Sequence, residues 1–238
     1  VNTPDGMPDR TDECPVFTGE RVIEGSTTPS YIWLEHVARY QFASHYARGS
    51  VLDIACGTGY GCKMLLNRAT TRITGIDISQ DAISIASKWY KDDGIAFMVG
   101  NILDIELPNG SQDVITCFET IEHVKEQETA ISELCRVLNP RGMLIISSPN
   151  RQAWSPGKLA SDPPDNPFHV SEFSTKEFVS FLRHYFGTVT VFGQRGANKL
   201  LFLVPFLRRF SFPKSPSLQS ISLFKEYRYI TAICGDVK

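Results

Sequence analysis

Two acids, Asp53 and Asp77, stand 24 residues apart, each at the end of a short apolar run. Asp53 belongs to Val51–Leu52–Asp53–Ile54, and glycines follow it at positions 57, 59 and 61. Glycine in such a turn accepts positive φ and lets the backbone pass close to a ligand with no Cβ in the way. A Gly-rich turn alone serves several ligands. The carboxylate narrows the choice, because it repels a pyrophosphate and attracts a ligand that carries a sulfonium and an ammonium. The third glycine also follows the second by two residues, not by three as in the dinucleotide fingerprint. Charge and spacing together point to S-adenosylmethionine.

Asp77 closes the second run, in RITGIDIS. In a doubly wound sheet it lies beside the first turn and can accept from both hydroxyls of a ribose. A third run, Ile95 to Val99, leads into Gly100, Asn101 and Ile102. There Asn101 is expected at an adenine edge and Ile102 over its face.

Methyl transfer from a sulfonium needs nucleophile, methyl and sulfur held in line. A hydroxyl nucleophile also gains from a nearby base, and histidine suits that role near neutrality. Of the five histidines, His36, His45 and His184 fall on predicted helices and read as structural. The catalytic candidates are His169, in NPFHVSEF, and His123, in ETIEHV. His169 reads as a base or substrate contact or as a loop anchor, and His123 as a base or a capping residue. Glu119 and Glu172 are the runners-up. Trp154, Phe168 and Phe173 offer rings to an acceptor, and Arg21, in FTGERVIEG, offers an anion contact. Trp154, Phe168 and Arg21 are the expected substrate residues.

Positioning these groups takes a particular framework. From Val51 to Ser148 strands and helices alternate, which implies parallel strands with crossover helices. Ser79 can cap a helix over DAISIASKWY, Glu126 to Leu138 reads as another, and Ser174 with Glu177 forms a capping box for a third. A helix from about Tyr31 to Tyr46 precedes the first strand, with Trp33, Val37 and Tyr40 on one face. GTVTVFGQ and Tyr227–Gly235 supply the sixth and last strands. The expected fold class is α/β: a doubly wound, Rossmann-like, mostly parallel seven-stranded sheet with helices on both faces. Residues 1–16 read as a flexible N-terminus and 17–238 as one domain. The proline-rich stretch 149–172 is too long for a bare connection and is expected to cover the substrate. An apolar insertion at 198–220 ends its densest part in Arg208 and Arg209. It reads as packing on the sheet or in a homodimer interface, with a membrane or lipid-linked substrate as the alternative.

Composition bounds the remaining choices. With 238 residues, 42% of them hydrophobic and 21% charged, the chain can build one substantial core. A net charge of −2 argues against a nucleic-acid partner. No stretch approaches ~18 uninterrupted apolar residues, and nothing reads as a secretory leader. Six cysteines, Cys14, Cys56, Cys62, Cys117, Cys135 and Cys234, form no metal-ligand spacing, so no metal is expected and a reducing, cytoplasmic location is.

Taken in order, these motifs resemble the class I S-adenosylmethionine-dependent methyltransferases, in the group that includes the ubiquinone-biosynthesis O-methyltransferases. VLDIACGTGYG is similar to the family's first motif, GIDIS to the second and GNILDIELP to the adenine loop. DVITCFETIEHV and LNPRGMLIISSPN resemble the fourth-strand and fifth-strand segments, with Arg141 where the family usually has glycine. The resemblance implies S-adenosylmethionine held by Asp53, Ala55, Gly57, Gly59, Asp77, Ile78, Asn101, Ile102, Phe118 and Glu119. More loosely, FTGER, NPFHVSEFSTKEF and VFGQ resemble bacterial methyltransferases that modify sugars in polysaccharides and glycosylated natural products. The expected reaction is therefore O-methylation of a sugar or glycosylated small molecule. A phenolic or quinone precursor, an amine, and a catalytically inactive binding partner are the alternatives.

Overall fold

A computed structural model describes residues 30–198, 217–222 and 225–238. The expected flexible N-terminus, Arg21 and most of the apolar insertion, Arg208 and Arg209 included, lie outside the described residues.

Five parallel strands form the heart of the sheet: β1 (Gly49–Ile54), β2 (Thr70–Asp77), β3 (Ile95–Val99), β4 (Gln112–Cys117) and β5 (Leu138–Pro149). They run in the order β3-β2-β1-β4-β5. Val51 to Ile54 is apolar except at Asp53 and wholly buried, as a central strand covered on both faces must be. The order reverses direction at β1, so a crevice opens between the carboxyl ends of β1 and β4.

Side chains alternate between two cores, following the period of two along a strand. Leu52, Ile54, Ile115 and Cys117 face α4 (Gln127–Val137) and α6 (Thr175–Tyr185). Val51, Val114 and Ile145 face α1 (Ser30–Ser44) and its neighbour α2 (Tyr60–Leu65). The helix boundaries follow their caps. Ser79 Oγ accepts from the Ala82 N–H ahead of α3 (Gln80–Trp89). Ser174 and Glu177 close a full capping box on α6.

Two expectations are corrected. The sheet has eight strands among the described residues, because the short β7 (Leu218–Ser220) pairs with β6 (Phe186–Asn198) at the edge. The alternation also breaks between β3 and β4, where no helix forms. Arg136 on α4 holds that connection instead, donating to the Ile105 and Leu107 carbonyls and to Asn109 Oδ1. These bonds satisfy backbone groups that a helix would have satisfied internally.

β8 (Lys225–Val237) runs antiparallel between β5 and β6, and its register sets Tyr229 against Pro149 at the end of β5. Just beyond, α5 (Arg151–Trp154) opens the long connection, capped by Asn150. Asn150 Nδ2 also donates to Glu226 Oε1 and to the Tyr227 carbonyl, pinning the connection to β8.

Candidate functional site

A cavity of about 400 Å³ lies in the crevice. Its floor is the turn after β1. Ala55, Gly57 and Gly59 all hold positive φ, at 58°, 56° and 84°. Gly57 N–H donates to Asp77 Oδ2 at 2.9 Å, and Ser79 N–H donates to Asp77 Oδ1 at the same distance. Asp77 therefore locks the first turn to the second while lining the cavity. Beside it stands Ile78, 71% exposed at the rim.

The turn after β4 forms the opposite wall. Glu119 has φ of 48°, a left-handed conformation that costs a residue with a side chain about 1–3 kcal/mol. Ser147 holds it there: its hydroxyl donates to Glu119 Oε1 at 2.6 Å and accepts from Glu119 N–H. Two non-glycine residues in this conformation, Ala55 and Glu119, thus flank one crevice. Backbone strain gathers at such places when the surroundings fix it for use.

Asp53 is corrected. It lies under the cavity rather than in its wall, fully buried on the face of β1 that Val51 shares. The Tyr40 hydroxyl, the Thr116 hydroxyl and the Cys62 thiol all donate to its carboxylate. Burial pushes Asp53 up to about 6, against the pull of these three donors. The carboxyl groups that do reach the cavity are Asp77, Glu119 and Glu122, and among the described residues no lysine or arginine lines it.

The glycines divide by task. A Cβ on Gly59 would lie 2.7 Å from Ala86 Cβ and 2.8 Å from the Phe97 ring, and one on Gly61 would overlap the Tyr40 ring. Those two permit packing between elements and form no part of the wall. Gly57 does line the cavity. Asn101 and Ile102 do not. Asn101 is exposed and turns its Oδ1 onto the Leu103 N–H, while Ile102 packs into the core. The exposed aliphatic at the rim is Ile78.

The far end of the cavity is a polar pole supplied by two distant segments. Glu122 and His123 form the 3₁₀ turn after β4 (Ile121–His123), and Asn166 and His169 come from the long connection. The Glu122 carbonyl accepts from the N–H groups of Val170 and Ser171, which fastens the two together. His169 Nδ1 lies 2.6 Å from Glu172 Oε1. That carboxylate only accepts, so Nδ1 carries the hydrogen and Nε2 holds the lone pair. Asn166 Nδ2 donates to it at 2.8 Å. Likewise His123 Nδ1 donates to the Phe168 carbonyl, which leaves its Nε2 4.0 Å from Glu122 Oε1.

Glu122 is 1% exposed, and its Oε2 has no hydrogen-bond partner. Burial, reinforced by the neighbouring Glu119, holds its carboxyl well above the usual range.

Trp154 lines the cavity, with the Arg228 guanidinium 4.3 Å over its ring and Tyr229 5.8 Å away. Phe168 is corrected. Its ring is 55% exposed outside the wall, and it serves through its carbonyl on His123. His36, read as structural, lines the cavity and pairs through Nδ1 with the Tyr60 hydroxyl at 3.0 Å. Burial, with Arg39 adding to it, holds His36 well below its ordinary value, so it stands neutral. Sequence reasoning passed over Tyr60, Glu122, Asn166 and Tyr229 as wall residues. Only Glu122, directly before a candidate histidine, carried any local signal.

Residues 52–146 match the family model of the methyltransferase domain. The chain is 36% identical over 167 residues to a Mycolicibacterium smegmatis protein described as a probable S-adenosylmethionine-dependent methyltransferase, covering 70% of this chain and 63% of that protein. It is 30% identical over 118 residues to the ajmaline N-methyltransferase of Rauvolfia serpentina, covering 48% and 40%. The chain thus spans about three fifths or less of the relatives it matches. Among solved structures, YcgJ of Bacillus subtilis has the same fold, with a TM-score of 0.61 at 14% identity over 85% of this chain and 99% of that one.

Proposed function

We propose that this chain, which carries a class I S-adenosylmethionine-dependent methyltransferase domain, methylates a hydroxyl of a small-molecule acceptor, a sugar or glycosylated metabolite foremost. One observation carries the proposal. The cavity has two unlike ends, a glycine turn with Asp77 and a pole with His123 and His169, joined by walls that hold three carboxyl groups and, among the described residues, no lysine or arginine. That donor set suits a ligand bearing a sulfonium and an ammonium, and it disfavours a pyrophosphate.

When bound, S-adenosylmethionine supplies an electrophilic methyl group whose leaving group is a neutral thioether. Asp77 would accept from the ribose hydroxyls, and Ile78 at the rim and Phe118 at the wall would bracket the purine. Glu119 and Gly57 complete the holding set. Asp53 supports the turn from beneath without touching the ligand.

At the pole, His169 and His123 meet the acceptor. Each imidazole is fixed as an Nδ1–H donor, so Nε2 is the nitrogen left for a hydroxyl proton or a cation, once Asn166 releases that of His169. Trp154 and Tyr229 give the acceptor an aromatic face, which a sugar ring or a phenol can use. The connection 149–172 covers the acceptor, since Pro149, Trp154, Asn166 and His169 all belong to it. No described helix is long and apolar enough to cross a membrane.

The test is methyl transfer from radiolabelled donor to a panel of sugars, glycosides, phenols and amines. Turnover on hydroxylated sugars above the others supports the proposal. Transfer to amines alone would move the reading toward N-methylation, and cofactor binding with no transfer to any acceptor would point to an inactive partner protein.

A further inference from the structure

We propose that Glu122, His123 and His169 together bind a divalent transition-metal ion at the acceptor end of the cavity. One ligand atom from each lies within 4.8 Å of the others. Glu122 supplies the second, independent sign. Its carboxyl group is buried in the cavity wall, and Oε2 has no partner, although a buried carboxylate oxygen normally keeps one.

The surroundings of both histidines follow the pattern of metal-ligating imidazoles. A ligating histidine donates its other ring N–H to a carboxylate or a carbonyl, which fixes the tautomer and orients the ring. His169 donates Nδ1–H to buried Glu172, and His123 donates Nδ1–H to the Phe168 carbonyl. Glu172 is itself held by the Ser155 hydroxyl at 2.7 Å. His123 Nε2 thereby stands 4.0 Å from Glu122 Oε1, and Nε2 is the nitrogen left to His169 as its ligand atom.

An ion about 2.0–2.2 Å from each ligand draws the three atoms to roughly 3–3.5 Å apart, a small rotation for half-exposed His123. It also takes the Nε2 lone pair of His169 that Asn166 otherwise caps. Two imidazoles and one carboxylate suit zinc, iron, manganese or nickel better than the all-oxygen preference of magnesium or calcium. Three protein ligands leave coordination positions open for the acceptor's oxygens.

The role of the ion rests on reading this pole as the acceptor end. A hydroxyl bound there loses its proton to solvent water more readily. Its oxygen then forms the bond to the methyl carbon as the carbon–sulfur bond breaks, and that electron pair leaves with sulfur. A vicinal diol, as in many sugars, could offer two oxygens to one ion.

The test uses the untagged 238-residue chain, stripped with a chelator and titrated with Co²⁺ by visible absorption and with Zn²⁺ by calorimetry. S-adenosylhomocysteine binding on every sample reports an intact fold. One ion per chain is expected. Glu122→Gln and His123→Ala should each weaken it at least about tenfold, and Glu172→Gln about tenfold through the orientation of His169. Absence of saturable binding in wild-type chain that still binds S-adenosylhomocysteine would overturn the site. So would equal affinity in wild type and all three variants. An ion bound through these residues in a chain that methylates no hydroxyl would keep the site and refute the proposed reaction.

Discussion

Glu172 and His169 form a buried pair, Oε1 to Nδ1 at 2.6 Å, with side chains 0% and 7% exposed. His169 of this pair lines the polar pole of the cavity, and Arg151 braces the pair by donating to the Glu172 carbonyl and to Glu177. So arranged, the imidazole is fixed at both nitrogens, by Glu172 at Nδ1 and by Asn166 at Nε2, and in the proposed reaction Nε2 serves the acceptor. His169→Ala should lower turnover about 10²-fold. Affinity for S-adenosylhomocysteine should stay within about twofold, since Asp77 and the glycine turn are untouched. Steady-state kinetics at saturating acceptor and calorimetry of the same preparation check both halves.

Asp77 has two tasks, and its removal should show both. Asp77→Ala loses a charge-assisted ribose contact and should weaken cofactor binding about tenfold, or ~1.4 kcal/mol. It also frees the N–H groups of Gly57 and Ser79, so stability should fall by about 1–3 kcal/mol. Calorimetry and urea unfolding measure the two effects. An affinity unchanged at a lowered unfolding midpoint would leave Asp77 as a structural residue only.

Asp53 should leave a mark on the pH dependence of stability. Its carboxyl rises from an ordinary 3.8 to about 6 on folding, chiefly through burial. The folded chain therefore binds this proton more tightly than the unfolded chain. Its contribution is most favourable below pH 4, declines as pH rises from about 4 to about 6, and is level above that. In Asp53→Asn this decline should vanish, so urea midpoints of variant and wild type should diverge across that window and run parallel above it. Cofactor affinity should change less than in Asp77→Ala, because Asp53 does not line the cavity.

Gly61 makes room for a ring. A Cβ there would sit 2.1 Å from the Tyr40 ring, whose hydroxyl holds Asp53. Gly61→Ala should destabilise the chain by about 1–3 kcal/mol through overpacking. Denaturant unfolding gives the value, and a change below about 0.5 kcal/mol would mean that Tyr40 moves aside freely.

Features set by local pattern could be read before any fold was known. The bounds of β3, the Ser79 cap, the Ser174–Glu177 box and the placement of Asp77 all follow from a few neighbouring residues. The direction of Asp53 was also within reach. Leu52 and Ile54 face one core, so the alternation sends Asp53 to the other side, under α1. What the sequence did not hold locally was the residue waiting there, Tyr40, thirteen positions earlier. The pole lay further out of reach, because His123 and His169 meet only when the long connection folds back onto the Glu122 carbonyl. His36 read as structural because it falls on a predicted helix, yet it lines the cavity.

The central claim is that a cavity lined by Asp77, Glu119 and Glu122, with no lysine or arginine among the described lining residues, selects a cationic methyl donor. Calorimetry of the wild-type chain with S-adenosylmethionine and, separately, with NADH tests it most directly. Saturable one-to-one heat with the sulfonium and none with the dinucleotide is the expected result. Saturable heat with NADH and none with S-adenosylmethionine would contradict it.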